Sequence, residues 1–192
     1  ISVPVGASGL VARAIAPGLA PGAIVTDVGS VKADVIAAMA PELPAHVHFV
    51  PGHPLAGTEH SGPEAGFAEL FDNRWCILTP PEGTPDAPVG RLADFWQALG
   101  ARTTLMTPEH HDLVLAVTSH VPHAIAYTMV GVADDLSRVT DSEVVQFSAA
   151  GFRDFTRIAA SDPVMWRDVF LHNRQATLDI LGRFTEELFQ LQ

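Results

Sequence analysis

Basic residues are scarce in this chain. Eleven Lys and Arg stand against 22 Asp and Glu, for a net charge of -11. No basic cluster is available to neutralise phosphates, so a nucleic-acid partner is excluded, and an anionic membrane surface is disfavoured for the same reason. Cysteine occurs once, at Cys76, which rules out an internal disulfide and fits a reducing compartment. Within the apolar run "RWCILTP" it reads as a buried strand residue rather than a nucleophile. No apolar stretch reaches the roughly 18 to 20 residues that span a bilayer. The basic and apolar regions of a signal peptide are also missing. A cytoplasmic protein is the expectation. The first residues, "ISVPVGAS", lack an initiator Met and begin inside an apolar run. They read as the second half of a buried strand, and the chain as a piece of a longer one.

What is present is the composition of a globular protein, 47% hydrophobic and 17% charged over 192 residues, enough to bury a core. Its periodicity changes partway. Up to about residue 105, short β-rich runs alternate with helical segments: "ISVPV", then 8 to 19, "AIVTDVGS", "VKADVIAAMA", "VHFVPGHPL", "RWCILTP", "GRLADFWQALG" and "RTTLMT". The alternation predicts an α/β layered sheet, mostly parallel, with ligands beyond the carboxyl ends of its strands. "TPPEGTPDAPVG" at 79 to 90 is rich in proline and glycine and reads as a loop. From Thr107-Pro108 onward the pattern is helical, with breaks expected near 138 to 142 and 149 to 152. Ser161-Asp162-Pro163 is a second start signal. The segment it opens runs about 28 residues, roughly 42 Å if continuous, and its broad apolar face predicts dimerisation.

Four stretches hold chemistry-bearing residues. In "TDVGSVK", Gly29 permits close backbone approach and Ser30 stands at a helix start, where it serves either as a cap or beside a polar ligand at free N–H groups. In "GHPLAGTEHSG", His53 follows a strand and precedes Pro54, which restricts it to extended conformations and holds the imidazole in place. Glu59 is either a second polar contact or solvated. In "HHDLVLAVTSHVPH", Asp112, Ser119, His120 and His123 share one helical face, and Pro122 is expected to kink the helix by releasing the Thr118 carbonyl. Metal ligation by Asp112, His120 and His123, substrate hydrogen bonding, and a kink with satisfied core histidines are all compatible with that spacing. In "GFRDFTRIAASDPVMW", Gly151 frees the backbone ahead of Arg153, Asp154 and Arg157. Arg157 on an apolar surface needs a carboxylate, from a substrate or a structural acid.

Together, in this order and spacing, the four stretches resemble the prephenate/arogenate (cyclohexadienyl) dehydrogenase family of tyrosine biosynthesis over essentially the whole chain. The resemblance implies an α/β plus all-α architecture. Residues 1–106 would be the C-terminal part of a Rossmann-type NAD(P)-binding domain, and 107–192 a helical substrate-binding and dimerisation domain. It implies oxidative decarboxylation: hydride leaves the ring carbon bearing the hydroxyl for NAD or NADP, the ring carboxylate departs as CO2, and the ring aromatises. His53 would take the hydroxyl proton, as a neutral imidazole suits, with Ser30 close to the hydroxyl and nicotinamide. Arg157 would bind a substrate carboxylate; His120, His123, Asp112 and Trp166 would line the substrate pocket; Glu59, Arg153 and Asp154 would stand at its entrance. Pro4, Val5, Gly29 and Ser30 would lie on the cofactor side. The partners implied are the small-molecule substrate, prephenate or arogenate, and a second copy of the chain, with no metal.

The family's glycine-rich phosphate turn is absent from residues 1–192, and "GASG" at 6 to 9 is not that fingerprint. Weak dinucleotide binding and slow turnover are therefore expected of the chain as it stands, with an exposed edge at "ISVPV". Two rivals remain: a β-hydroxyacid-type dehydrogenase, which would use a lysine base where this chain has only Lys32, and a non-catalytic dimerisation or ligand-sensing module.

Overall fold

The fold is that of a computed structural model, which describes residues 1–58, 62–137 and 143–192. Its first half is built around short strands. β1 (Ile24–Val25) pairs parallel with β2 (His48–Phe49), and the latter runs on through Val50 and Pro51 into β3 (Gly52–Pro54). β3 turns its other edge to β4 (Trp75–Leu78), antiparallel, with His53 opposite Ile77. β4 pairs parallel with β5 (Arg102–Leu105). The parallel pair is joined by α3 (Asp86–Ala98), the crossover that parallel strands require. α3 buries Pro88, Leu92 and Trp96, spaced four apart and so on one face. Leu92 and Trp96 pack with Val50, Cys76, Leu78 and Ala101 in one core cluster.

The mostly parallel pairing expected from the sequence is present, with two parallel strand pairs to one antiparallel pair among the described residues. The antiparallel pair arises where residues 55–74 contain no long helix among those described and the chain returns from β3 as a reversed strand. Two expectations do need correction. Ile1–Val5 is not a strand: the Ile1 amino group donates to the Thr26 carbonyl at 2.7 Å, and after Pro4, which has no N–H to give a ladder, the chain coils into a 3-10 turn, Val5–Ala7. The expected loop at 79–90 is shorter, since α3 starts at Asp86 and accommodates Pro88 in its first turn, where no intrahelical N–H is required.

A second core cluster joins both halves of the chain. Val5, Ala12, Val25, Val31, Val35 and Met39 pack with Trp166 and Val169. The first group comes from α1 (Ser8–Ile15), α2 (Ala33–Met39) and the segments around them. Trp166 and Val169 come from α8 (Pro163–His172). Gly9 lets α1 and α2 approach, since a Cβ there would lie 2.8 Å from the Ala38 carbonyl oxygen.

The remaining helices are α4 (Pro108–Leu115), α5 (Val121–Ser137), α6 (Glu143–Gln146), α7 (Ala150–Thr156) and α9 (Arg174–Gln190). Both sequence start signals form caps. Thr107 Oγ1 accepts from His110 N at 3.3 Å, and Asp162 Oδ1 accepts from Val164 N at 2.7 Å and Met165 N at 3.2 Å. Asp162→Ala is expected to cost about 1 kcal/mol, read as a lower urea midpoint with an unchanged slope. An unchanged midpoint would show that the cap contributes nothing.

α4 and α5 are joined through a π turn, Ala116–His120, just ahead of Pro122, which cannot donate to the Thr118 carbonyl. The continuous helical run Pro108–Ser137 has a mean hydropathy of 1.4 in its most apolar window, long and apolar enough to cross a membrane by length and composition. This corrects the sequence expectation, although the same run carries buried His111, Asp112 and His120 into the protein interior. The break expected at 138 to 142 lies outside the described residues. The next falls at 147–149, and Gly151 is inside α7. The long terminal helix is not continuous: it is interrupted at Asn173, whose side chain donates to the Asp112 carbonyl at 2.8 Å and to His120 Nδ1 at 2.9 Å.

Candidate active site

The end of β3, the turn after β1, the π turn and the start of α8 converge on a cavity of about 690 Å³. Ser30, His53, Ser119, His123, Arg157 and Trp166 all line it. Glu69, Asp72 and Arg74 line it as well. Its size is that of small-molecule sites generally.

His53 is 7% exposed, held in the ladder opposite Ile77 and fixed in extended conformation ahead of Pro54. Its Nδ1 lies 2.8 Å from His111 Nε2. His111 is fully buried, and its Nδ1 lies 2.8 Å from Asp112 Oδ1. The Asp112 carboxylate in turn accepts the backbone N–H of Lys32 at 2.8 Å and of Ala33 at 2.9 Å. The free N–H groups expected at the start of α2 are thus occupied by a carboxylate from α4, and Ser30 is not the cap. Burial pushes the His53 imidazole well below its ordinary value, with His111 and Lys32 adding to the effect. At neutral pH it is an uncharged proton acceptor.

His123 stacks on Trp166, ring centroids 3.5 Å apart and planes 20° from parallel, and its Nδ1 bonds the Ser119 carbonyl at 2.8 Å. Since a carbonyl only accepts, Nδ1 carries the hydrogen, and the neutral ring keeps a lone pair on Nε2. The indole Nε1 of Trp166 is buried with no acceptor among the described residues.

Other predicted residues are placed differently. Asp112 and His120 are buried and do not line the cavity. The oxygens of Asp112 are taken by the backbone and His111, and Nδ1 of His120 accepts from Asn173. Arg153 and Asp154 are exposed on α7 and do not line it; Arg153 Nε reaches Ser148 Oγ at 3.4 Å. Glu59 lies outside the described residues. Of the cofactor-side residues, only Ser30 reaches the cavity. Pro4 accepts from Ala7 N, and Val5 is buried in the shared core. Gly29 donates to Asp27 Oδ2 at 2.8 Å, and a Cβ there would meet that oxygen at 2.9 Å. Cys76 is buried, and its thiol is pushed up to about 12, chiefly by burial.

Sequence reasoning passed over His111 and Asp27, and weighed Lys32 only as a base. His111 sits between His53 and Asp112; adjacent helical residues point about 100° apart, so counting along one face from Asp112 skips it. Asp27 and Lys32 form a buried ion pair, with Lys32 Nζ also donating to the Gly52 carbonyl at 2.7 Å. That pair ties the end of β1 to the start of β3, and Lys32 does not reach the cavity. A lysine-base mechanism has no lysine there.

Burial lowers His120 to about 4, outweighing the opposing effect of Asp112, and lowers His53 and His123 in the same direction. A folded-state value below the unfolded one favours the native state fully above the ordinary imidazole range, and this contribution is lost as pH falls toward the folded value. For His120 the loss is on the order of 3 kcal/mol across that window. Urea midpoints are expected to drop steadily between about pH 6.5 and 4. A flat profile over that range would contradict the burial of these imidazoles.

The family model described as prephenate dehydrogenase, nucleotide-binding domain, matches residues 1–105, and the one described as prephenate dehydrogenase, dimerization domain, matches 107–192. A cyclohexadienyl dehydrogenase of Zymomonas mobilis is 47% identical over 192 residues, all of this chain and 65% of that protein. A prephenate dehydrogenase of Bacillus subtilis is 39% identical over 169 residues, 88% of this chain and 45% of the relative. The chain thus spans less than two thirds of the length of these relatives. The crystal structure of Aquifex aeolicus prephenate dehydrogenase in complex with hydroxyphenyl propionate and NAD+ superposes with a TM-score of 0.90 at 37% identity, covering 99% of this chain and 65% of that one. With both halves matched in order and the fold shared, the chain belongs to the prephenate dehydrogenase family.

Proposed function

We propose that this chain carries the proton-transfer and substrate-binding groups for oxidative decarboxylation of prephenate or arogenate, giving 4-hydroxyphenylpyruvate or tyrosine. The observation that carries the reading is the presence of an uncharged, buried imidazole and an arginine on one cavity, His53 and Arg157. When bound, NAD or NADP supplies the hydride acceptor. The residues present fit its nicotinamide end, since the cavity is large enough for a ring beside the substrate and Ser30 lines it. They do not supply a phosphate cradle: Gly9 in "GASG" is a packing glycine between α1 and α2.

His53 accepts the hydroxyl proton as hydride leaves the ring carbon. Arg157 pairs with a carboxylate of the substrate, and its planar fork orients the ring. The stacked faces of His123 and Trp166 wall the cavity. Ser30, on the same cavity as His53, would face the nicotinamide. Residues 1–106 serve the nucleotide and 107–192 the substrate and a homodimer contact. The exposed Met129, Val130, Val132 and Leu136 of α5, with Leu188 and Phe189 of α9, provide the apolar surface for that contact. The setting proposed is cytoplasmic.

The test is incubation of the full-length protein, with its phosphate-binding segment, with prephenate and with arogenate, each with NAD+ and NADP+, following reduced nicotinamide and CO2. Formation of both, unchanged after dialysis against a chelator, supports the reading. Absence of product from either substrate would favour a dimerisation or ligand-sensing role.

A further inference from the structure

We infer that His111 and Asp112 are positioning residues that set the tautomer of His53, placing its hydrogen on Nδ1 and leaving Nε2 bare for the substrate hydroxyl. The argument is one of donors and acceptors along a buried chain. Asp112 receives the backbone N–H groups of Lys32 and Ala33, one at each oxygen, so it acts as a carboxylate and only accepts. His111 Nδ1, 2.8 Å from Oδ1, must therefore donate. Three donors then satisfy the carboxylate without a second proton on His111, and a neutral ring with hydrogen on Nδ1 presents a lone pair at Nε2. His53 Nδ1 lies 2.8 Å from that nitrogen and must donate to it. The neutral His53 ring is left with its lone pair on Nε2.

This order reverses the ordinary preference, because a neutral histidine in water carries its hydrogen mainly on Nε2. Without the relay, His53 would present an N–H to the hydroxyl and could not take its proton. With it, the O–H bond breaks toward Nε2, and the positive charge that develops on His53 is met through His111 by the negative charge of Asp112. The buried carboxylate needs no proton of its own for this, only its place at the start of α2, where the two backbone N–H groups hold it. The catalytic consequence rests on His53 being the base, but the tautomer itself exists without substrate or cofactor.

The experiment is nitrogen-15 NMR of the 192-residue protein with labelled histidine, at a pH above the ordinary imidazole value of about 6.5. Two-bond correlations from the ring carbon-bound hydrogens report which nitrogen is protonated. His53 is expected to show protonated Nδ1 and bare Nε2. In His111→Leu, the Nδ1–H form of His53 is expected to be lost in favour of Nε2–H. An Nε2–H His53 in the unsubstituted protein, as a doubly protonated His111 would produce, overturns the inference with no variant needed. Retention of Nδ1–H in a folded His111→Leu protein overturns it too, since something else would then set the tautomer. A failed activity assay leaves these signals unaffected, and a failed tautomer assignment leaves the activity assay standing.

Discussion

His53→Asn is expected to lower kcat about 10²- to 10⁴-fold, the range of a positioned general base, with KM for prephenate or arogenate changed little. Asparagine keeps a polar group near the ring nitrogen's place, and His53 lies in β3 opposite Ile77, so the cavity should hold its shape. What is lost is the proton acceptor. The pH profile provides the companion signature. The base must be unprotonated to act, and burial lowers its value below 6.5. The acid limb of kcat/KM is therefore expected below the ordinary imidazole range rather than centred on it. A variant that retains near-normal kcat, or an acid limb above about 6.5, would remove His53 from the role.

Arg157→Ala is expected to act on the other parameter. Hydrogen bonds to charged groups are worth about 1.5 to 3 kcal/mol, so losing the substrate carboxylate's partner should raise KM about 10- to 100-fold, with a smaller effect on kcat. Arg157→Lys should recover only part of the loss, because an ammonium cannot reproduce the fork. Initial rates across substrate concentrations separate the two parameters. An unchanged KM in Arg157→Ala would mean the carboxylate is bound elsewhere on the cavity wall, with Arg74 as the next donor to test.

The parts of this fold legible in the sequence are those governed by local chemistry. Thr107-Pro108 and Asp162-Pro163 announce helix starts because a side-chain oxygen and a missing N–H act within one turn, and both caps form. His53 was legible because Gly52 and Pro54 bracket it at a strand's end. What was not legible depends on distant partners. Asn173 interrupts the last helix to bond Asp112 and His120, 61 and 53 residues away in sequence. The N–H groups after Ser30 are claimed by Asp112, 80 residues on, which turns an apparent ligand residue into a structural one. The antiparallel β3–β4 pair reflects a strand connection that no periodicity encodes. Ile1–Val5 has strand composition, but the chain takes a 3-10 turn after Pro4. His111 was hidden by the helical geometry that revealed its neighbour.

The central claim is that one cavity holds the ring hydroxyl at His53 and a carboxylate at Arg157. A crystal structure of the protein with hydroxyphenyl propionate tests this most directly. The account predicts the phenol oxygen within about 2.6 to 3.2 Å of His53 Nε2 and the carboxylate paired with the Arg157 guanidinium. A ligand bound with its phenol turned away from His53, or seated outside the cavity, would contradict it.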